Sequence, residues 1–250
     1  MNARQGFIGS SVERREDARF LTGKGQYTDD IVLPGQTHAF FLRSPYAHAR
    51  IKSLDTSAAA KAPGVVGILT GDHFKAVGGL PCGWLINSLD GQPMKEPKHP
   101  VLADGKVRYV GDRVALVVAE TLEQAKAAAL LIEVDYEELA PVVDTAKAAG
   151  AGSSVHVEAP DNVCYHWGIG DKDGTEAAFK NAAHVTTLHF RNNRLVPNAM
   201  EPRCANASYD VNADSYTLYV ANQNPHVERL LMTAFVLGLP EHKEIGRAHV

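Results

Sequence analysis

The sequence predicts an α+β fold arranged in two domains, and three observations support this prediction. Short runs of branched and aromatic residues, bounded by Gly and Pro, mix with helical patterns over residues 20–141. Residues 142–165, which follow Pro141, are rich in Ala, Gly and Ser and have little apolar periodicity, as is typical of a linker. Strand and helix patterns resume after this linker, and the 250 residues, 45% of them hydrophobic, can supply two cores.

The first domain is predicted to cover residues 18–141, behind a polar arm of residues 1–17. Thr121 and Gln124 have the spacing of a capping box at the start of its clearest helix. Many Gly and Pro residues predict a long loop over residues 76–100. Strands are predicted at residues 37–43, 49–55, 65–69, 113–119 and 131–139, and helices at residues 56–62, capped by Asp55 or Thr56, and 121–132.

The second domain is predicted to begin at residue 166 and to extend, within this sequence, to residue 243. Turn residues at 212–214 separate two strand-like runs and so predict a hairpin. A helix is predicted at residues 175–182, an alternating strand at 184–191, and the two hairpin strands at 204–210 and 215–221.

The last helix has the clearest start and end signals of the sequence. Asn224 is a good N-cap and Pro225 suits the first helical position. Gly238 closes the helix, and Pro240 prevents its extension. The apolar spacing predicts one buried face made of Val227, Leu230, Leu231, Ala234 and Phe235.

Charge and composition argue against several classes of function. A net charge of −4 without a cluster of Lys or Arg argues against nucleic acid as a partner. The N-terminus lacks the apolar core of a signal peptide, and no apolar run approaches the length of a membrane span. Cys82, Cys164 and Cys204 form no CxxC pair, and an odd number of cysteines suits a reducing compartment. The predicted location is the cytoplasm.

Several familiar site motifs are incomplete in this sequence. The segment "GIGDKDG" (168–174) lacks both the GxGxxG spacing and the ligands of a calcium loop, so it predicts a turn into a helix. His184 and His189 flank one strand and point to opposite faces, and no HxxxH or HExxH pattern occurs, so no metal ligand is predicted. Cys204 has no identifiable base, which favours structural burial over nucleophilic catalysis.

The segment "LVPNAMEPRCA" (195–205) leaves two interpretations open. Two prolines stiffen it, and Met200, Glu201 and Arg203 lie between and beside them. It is either a kinked entry to a strand with a local pair between Glu201 and Arg203, or a wall of a buried site. The first interpretation is favoured.

Two pairs of long stretches resemble parts of one enzyme family. "RREDARFLTGKGQYTDDIVLPGQTHAFFLRSPYAHARI" and "VRYVGDRVALVVAETLEQAKAAALLIEVDYEELAPVVD" are similar to the a/b hammerhead domain of the xanthine dehydrogenase and aldehyde oxidase family. "GDKDGTEAAFKNAAHVTTLHFRNNRLVPNAMEPRCANASYD" and "LYVANQNPHVERLLMTAFVLGLPEHK" are similar to the start of the molybdenum-cofactor domain that follows it. The resemblance runs from about Arg14 to Lys243 and implies a hammerhead domain followed by a truncated molybdopterin-binding domain.

The resemblance implies oxidative hydroxylation on a molybdenum-pyranopterin cofactor, expected as molybdopterin cytosine dinucleotide. "RLVPNAMEPR", "NQNPH" and "FVLGLPEHK" are most similar to large subunits of the aerobic carbon monoxide dehydrogenase type. That type implies oxidation of carbon monoxide with water to carbon dioxide, and a copper ion beside the molybdenum. Two electrons would pass to an iron–sulfur small subunit and an FAD medium subunit, in a dimer of heterotrimers. The alternatives are hydroxylation of aldehydes or aromatic N-heterocycles, and a non-catalytic hammerhead module for binding or assembly.

Gln223 matches the family's glutamine beside the molybdenum, whose side-chain amide donates a hydrogen bond to a metal oxo group. A neutral amide suits this role because it donates to negative charge without adding a charge of its own. Gln223 is the only cofactor-binding residue that the resemblance assigns here. The catalytic residues and the copper-ligating cysteine are expected beyond residue 250.

The last seven residues, "EIGRAHV" (244–250), are predicted to be a non-native tail. They depart from the family where a strand rich in Val and Ile should begin, and they resemble the translation of a sequencing adapter. That strand, and the glycine-rich cofactor loop after it, are therefore expected to be missing. The alternative is an ordinary polar C-terminus, and the nucleotide sequence at this end distinguishes the two.

Overall fold

The computed structural model of the protein describes residues 8–77 and 79–248. The protein divides into two compact units. The larger unit contains Gly35–Pro197 and Leu230–Glu241, and the smaller unit contains the described parts of Met1–Pro34, Asn198–Arg229 and His242–Val250. Each unit is therefore built from separate stretches of the sequence. Among the described residues, no helix combines the length and the apolar character needed to cross a membrane.

The first sheet of the larger unit places its most apolar strand in the middle. The strand order is β1 (His38–Arg43), β5 (Arg113–Ala119) and β3 (Val65–Thr70), and both neighbours run antiparallel to β5. Within β5, Val114, Ala115, Val117 and Ala119 are all at most 1% exposed. A continuous apolar run instead of an alternating one is typical of a strand covered on both faces. The predicted buried strand at 113–119 is confirmed.

The second sheet of the larger unit is formed by β4 (Lys106–Val107), β2 (Ala49–Asp55) and β6 (Glu133–Glu138), with β2 in the centre. Both pairings are antiparallel. Its core includes Ala49, Val107 and, from β5 of the first sheet, Val114, all at most 1% exposed. Exposed charged side chains alternate with these apolar ones along β2 and β6, so one face of this sheet is solvated.

Helix α2 (Leu122–Ala129) packs against the first sheet through alanines. Ala125, Ala128 and Ala129 are at most 1% exposed and belong to the same core as Val117. The predicted capping box is confirmed: the Gln124 N–H donates to Thr121 Oγ1 at 3.2 Å, and the Thr121 N–H donates to Gln124 Oε1 at 2.9 Å. These two bonds satisfy N–H groups that the first helical turn leaves without a partner.

Two predicted elements of the larger unit differ in the structure. The helix expected at 56–62 is a single 3₁₀ turn, Ala59–Lys61. The strand expected at 184–191 is wrong, because this segment has no strand partner among the described residues and all its side chains are exposed. An alternating pattern shows that a segment could form a strand, but the strand needs a neighbour to complete its hydrogen bonds. Helix α3 (Lys172–Asn181) precedes this segment and is capped by Asp171, as the turn prediction for 168–174 requires.

The smaller unit contains one sheet, in the order β7 (Ala205–Asp210), β8 (Ser215–Val220) and β9 (Glu244–Ala248). The predicted hairpin is confirmed, since β7 and β8 pair antiparallel around a turn in which Asp214 has a φ of 47°. The expectation that no strand follows Lys243 is wrong, because β9 forms there and pairs parallel with β8. A short helix, α1 (Asp17–Leu21), lies near the start of this unit.

The last helix begins as predicted but changes its geometry after fewer than two turns. Helix α4 (Pro225–Leu230) is followed by a π-helical segment, Leu231–Leu237, and Gly238 closes it with a φ of 66°. The predicted buried face is wrong: Thr233 is 0% and Val236 8% exposed instead. A π-helix turns less per residue than an α-helix, so residues after Leu230 leave the face that the α-helical spacing assigns them. Phe235, inside the π-helical segment, is 52% exposed. Val227 at 45% and Leu230 at 40% are exposed in the α-helical part, so the π-helical turn does not account for these two.

Candidate cofactor site

The candidate site lies where β8 ends and α4 begins, in the smaller unit. Strand β8 is the central strand of its sheet, and residues 221–224 connect its last residue, Val220, to Pro225. Strand β9 runs parallel to β8, so both strands present their carboxyl ends at the same edge. In sheets with parallel strands, this edge is where ligands commonly bind.

Two of the three amide side chains at this junction hold the turn together. The Asn224 N–H donates to Asn222 Oδ1 at 2.6 Å, and the Val227 N–H donates to Asn224 Oδ1 at 3.3 Å. The Asn222 Nδ2 also donates to Glu228 Oε2. Asn224 therefore caps the helix as predicted, and Asn222 ties the end of the strand to the first helical turn.

Gln223 is the third amide, and its side chain is free. It is exposed and makes no hydrogen bond within the part of the protein that the structure describes. Its neighbours on both sides are fixed by the bonds above, so its backbone position is well defined while its amide donors remain available. The junction therefore offers a neutral donor to a negatively charged oxo group, and the nearby Glu228 carboxylate is engaged by Asn222.

Within the segment 195–205, Glu201 contacts the N-terminal part of the smaller unit, and its expected ion pair with Arg203 does not form. Glu201 Oε1 accepts a hydrogen bond from the Thr28 N–H at 3.0 Å. No ion pair joins Glu201 and Arg203 among the described residues, so that expectation is wrong. The reason is that the first 3₁₀ turn, Thr28–Asp30, presents free N–H groups that a carboxylate can accept. Met200 is 85% exposed.

Cys204 is held as a thiol by its surroundings. Partial burial and the Asp29 carboxylate raise the pKa of this thiol, and its Sγ donates to Asp29 Oδ1 at 3.6 Å. Because the thiolate is the nucleophilic form, a raised pKa makes Cys204 a poor nucleophile at neutral pH. The side chain of Asn206 adds a further tie, since its Nδ2 donates to the Ile31 C=O at 2.8 Å.

A buried carboxyl group in β9 is the feature that sequence reasoning missed. Glu244 is 5% exposed, and its Oε1 has no hydrogen-bond partner among the described residues. Burial raises the pKa of Glu244, the Glu228 charge raises it further, and Arg229 opposes both. The family resemblance calls for a strand at this point, so a signal was available, but the charged and polar residues of 244–250 argued against it.

The Glu244 side chain makes stability depend on pH. An acid whose pKa is raised by folding stabilises the fold below its ordinary value of 4.5, and this contribution is lost as the pH rises through the raised value. We expect Glu244→Gln to increase the free energy of unfolding by about 1 kcal/mol or more at about pH 8, and to change it little at about pH 4. Urea denaturation at both pH values measures this, and an equal difference at both would contradict the account.

Comparison with known proteins gives matches to both parts of the sequence. The family model described as "Aldehyde oxidase and xanthine dehydrogenase, a/b hammerhead domain" matches residues 22–140, and "Molybdopterin cofactor-binding domain" matches residues 155–245. Both parts of the predicted fold class are thereby confirmed.

The protein is similar to curated large subunits of molybdenum enzymes. It is 38% identical over 237 residues to "Nicotine 6-hydroxylase large subunit" of Paenarthrobacter nicotinovorans, covering 94% of this chain and 28% of that protein. It is 38% identical over 254 residues to "Carbon monoxide dehydrogenase large chain" of Afipia carboxidovorans, covering 94% of this chain and 30% of that protein. It thus spans less than a third of the length of these two relatives.

Solved structures match the fold over the same extent. Quinoline 2-oxidoreductase from Pseudomonas putida 86 aligns with a TM-score of 0.82 at 35% identity, over 94% of this chain and 29% of that one. Reconstituted CO dehydrogenase from Oligotropha carboxidovorans aligns with a TM-score of 0.79 at 38% identity, over 94% of this chain and 30% of that one.

Proposed function

Since the chain belongs to the aldehyde oxidase and xanthine dehydrogenase family, we propose that it is the N-terminal part of a molybdenum-binding large subunit that oxidises carbon monoxide. The assignment to the N-terminal part of a longer large subunit is supported by two relatives, of which this chain covers 28% and 30%. Two carbon monoxide dehydrogenase large chains among the relatives, at 38% and 36% identity, support the second.

The complete protein is proposed to work as part of a larger enzyme. The complete large subunit would hold a molybdenum-pyranopterin cofactor, expected as molybdopterin cytosine dinucleotide. A carbon monoxide dehydrogenase would also hold a copper ion. An iron–sulfur small subunit and an FAD medium subunit would receive the electrons, in a dimer of heterotrimers. The relative named "6-hydroxypseudooxynicotine dehydrogenase complex subunit gamma", at 34% identity, supports a multi-subunit assembly. We propose the cytoplasm as its location.

Gln223 is the residue of this protein that we propose to contact the cofactor. When bound, the molybdenum group supplies the redox chemistry, and the protein contributes position and electrostatics. Gln223 would donate a side-chain N–H to an oxygen of this group, and Asn222 and Asn224 hold the turn that carries Gln223. The Gln223 amide is neutral, and its N–H groups make no hydrogen bond within the described residues. A hydrogen bond from it could therefore strengthen as negative charge develops, without breaking another bond.

Hydroxylation of an aromatic N-heterocycle is the second candidate function. Two similarities favour it. The identity to nicotine 6-hydroxylase, 38%, equals that to carbon monoxide dehydrogenase. The structure is also similar to quinoline 2-oxidoreductase, at 35% identity. The residues that would separate the two chemistries are expected beyond residue 250. Within residues 1–250, the Gln223 amide would serve the oxidation of carbon monoxide and the hydroxylation of an N-heterocycle in the same way.

Reduction by substrate tests the proposal. The complete large subunit, produced with its partner subunits, is mixed with carbon monoxide, with quinoline, or with benzaldehyde, and bleaching of the flavin and iron–sulfur absorbance is followed. We expect carbon monoxide to bleach the absorbance within the time of a few turnovers, while the other two leave it unchanged. Bleaching by quinoline alone would replace the first proposal with the second, and no bleaching by any of the three would contradict both.

A further inference from the structure

A cavity of about 470 Å³ lies in the larger unit, beside the loop that leads into β4. Its volume falls in the range of small-molecule sites in proteins. Apolar side chains from Phe74, Val101 and Leu102 form part of its wall. The polar residues of its wall that matter below are Arg108, His156, Lys98, Glu96, Asp104 and Glu158.

Arg108 brings a cation into this cavity without an anionic partner. Its Nε is buried and has no hydrogen-bond partner among the described residues, and its Nη1 makes one long bond, 3.4 Å, to the Lys106 C=O. The residue is fixed through its backbone, because its N–H donates to Asp112 Oδ2 at 3.0 Å. A buried donor without an acceptor costs about 1–3 kcal/mol, and more when it is charged. A guanidinium in this state fits a planar oxyanion, which can accept two of its N–H groups at once.

His156 adds a second polar group of a different kind. Burial lowers the pKa of His156, and the Arg108 charge lowers it further, so the imidazole is neutral at neutral pH. The side chain is half-buried, and the backbone carbonyl oxygen of His156 accepts a hydrogen bond from the Ala159 N–H at 3.1 Å. A neutral imidazole can donate one N–H to an oxyanion, so the half-buried part of the cavity offers one full positive charge and two kinds of donor.

The exposed rim of the cavity makes a highly charged anion a poor ligand. Glu96, Asp104 and Glu158 are exposed there, and Lys98 is the exposed cation opposite to them in charge. Lys75 also lines the cavity, but its ammonium group is paired with Asp72 at 2.5 Å. The Glu96 carboxylate accepts a hydrogen bond from the Cys82 N–H at 2.5 Å. Three carboxylates repel a phosphate dianion more than a carboxylate monoanion.

Close backbone packing keeps the cavity wall in place. A Cβ added at Gly71 would lie 2.5 Å from the Ala103 carbonyl oxygen, and one at Gly79 would lie 2.7 Å from the His99 carbonyl oxygen. Both distances are below normal van der Waals contact. Each of the two glycines therefore lets its segment lie against a backbone carbonyl that a larger residue would displace. These close approaches fix two parts of the cavity wall.

We propose that this cavity binds a small monocarboxylate with an apolar body, through the Arg108 guanidinium and the His156 imidazole. The carboxylate satisfies the unpartnered Nε–H of Arg108, and the apolar body packs against Phe74, Val101 and Leu102. One negative charge matches the charge of the half-buried Arg108 guanidinium, whose Nε is the buried atom. The site consists of residues of the larger unit alone and goes beyond the proposed function.

Calorimetric titration of residues 1–250 with benzoate, benzamide and inorganic phosphate tests the assignment. We expect saturable binding of benzoate that is about 10-fold or more tighter than that of benzamide or phosphate. Arg108→Gln should weaken benzoate binding about 10- to 100-fold, and Arg108→Lys should lose less. The matched control is Arg50→Gln, because Arg50 is exposed on β2, pairs with Glu137 and does not line the cavity. The Arg50→Gln variant should bind benzoate with the same affinity as the unchanged protein.

A measurement on the unchanged protein covers the case in which the Arg108 variants fail to fold. The His156 ring resonances are followed by nuclear magnetic resonance across pH, with and without benzoate. A bound carboxylate should raise the pKa of His156, whereas benzamide should not. Equal affinity for benzoate and benzamide, tighter binding of phosphate, or an unmoved His156 resonance would each overturn the proposal.

Discussion

Replacing Gln223 by alanine in the complete large subunit is expected to reduce turnover about 100- to 1,000-fold, the loss typical of one preorganised donor to a developing negative charge. The expected loss falls on kcat and kcat/KM alike, because the hydrogen bond is strongest in the transition state. Steady-state kinetics with the substrate that reduces the enzyme measure it. The molybdenum content of the variant should stay close to that of the unchanged enzyme, since one contact contributes little to holding the cofactor.

Two further variants separate the role of the donor from a loss of structure. Gln223→Glu has nearly the same shape but replaces the donor by a carboxylate, so it should be at least as damaging as alanine. Gln92→Ala removes another exposed glutamine, far along the sequence from the junction, and should leave kcat unchanged. If Gln223→Ala turns over at the normal rate with its molybdenum in place, Gln223 has no part in the reaction.

Replacing Val117 by alanine is expected to lower the free energy of unfolding by about 2–4 kcal/mol. Val117 is 0% exposed at the centre of β5, and it pairs with Phe40 on β1 and with Ile68 on β3. Both sides of the strand are covered, so the neighbours cannot close the space that the two lost methyl groups leave. Denaturant unfolding of the protein measures this effect.

Val66→Ala is the matched control for the Val117 variant. Val66 lies on the neighbouring strand β3, but its side chain is 64% exposed. The same chemical change should therefore alter the free energy of unfolding by no more than about 0.5 kcal/mol. If both variants lose the same amount, the placement of Val117 at the centre of the core is wrong.

Local patterns predicted the hammerhead part of the fold closely. The strands at 49–55 and 113–119 have the predicted bounds, because their apolar runs are flanked by turn residues and their partners lie within this protein. The capping box at Thr121 and the cap at Asn224 are also confirmed, because a cap depends on atoms only a few residues apart.

The failures share a dependence on distant atoms. The segment 184–191 has the alternation of a strand, yet pairing requires a second strand that the described residues do not provide. The π-helical turn at Leu231–Leu237 changed which side chains are buried, and no residue type signals such a turn in advance. Glu244 is charged, so its burial in β9 runs against its own preference and could not be predicted from composition.

The candidate site was predictable to the extent that its signals are local. Asn224 and Pro225 have roles in starting the helix, and the structure confirms that Asn222 is also engaged in the turn. This leaves Gln223 as the amide without a structural role among the described residues. Its role toward molybdenum stays a prediction that comes from the family resemblance.

Molybdenum content per molecule tests the central claim most directly. The complete large subunit, produced in a host that makes the cofactor, and residues 1–250 alone are each purified and analysed by plasma mass spectrometry. We predict about one molybdenum atom per complete subunit and no stoichiometric molybdenum in residues 1–250, because most protein contacts that hold a cofactor would be missing from them. A complete subunit without molybdenum would contradict the assignment of function, and about one atom per molecule in residues 1–250 would contradict the claim that they form only part of the cofactor site.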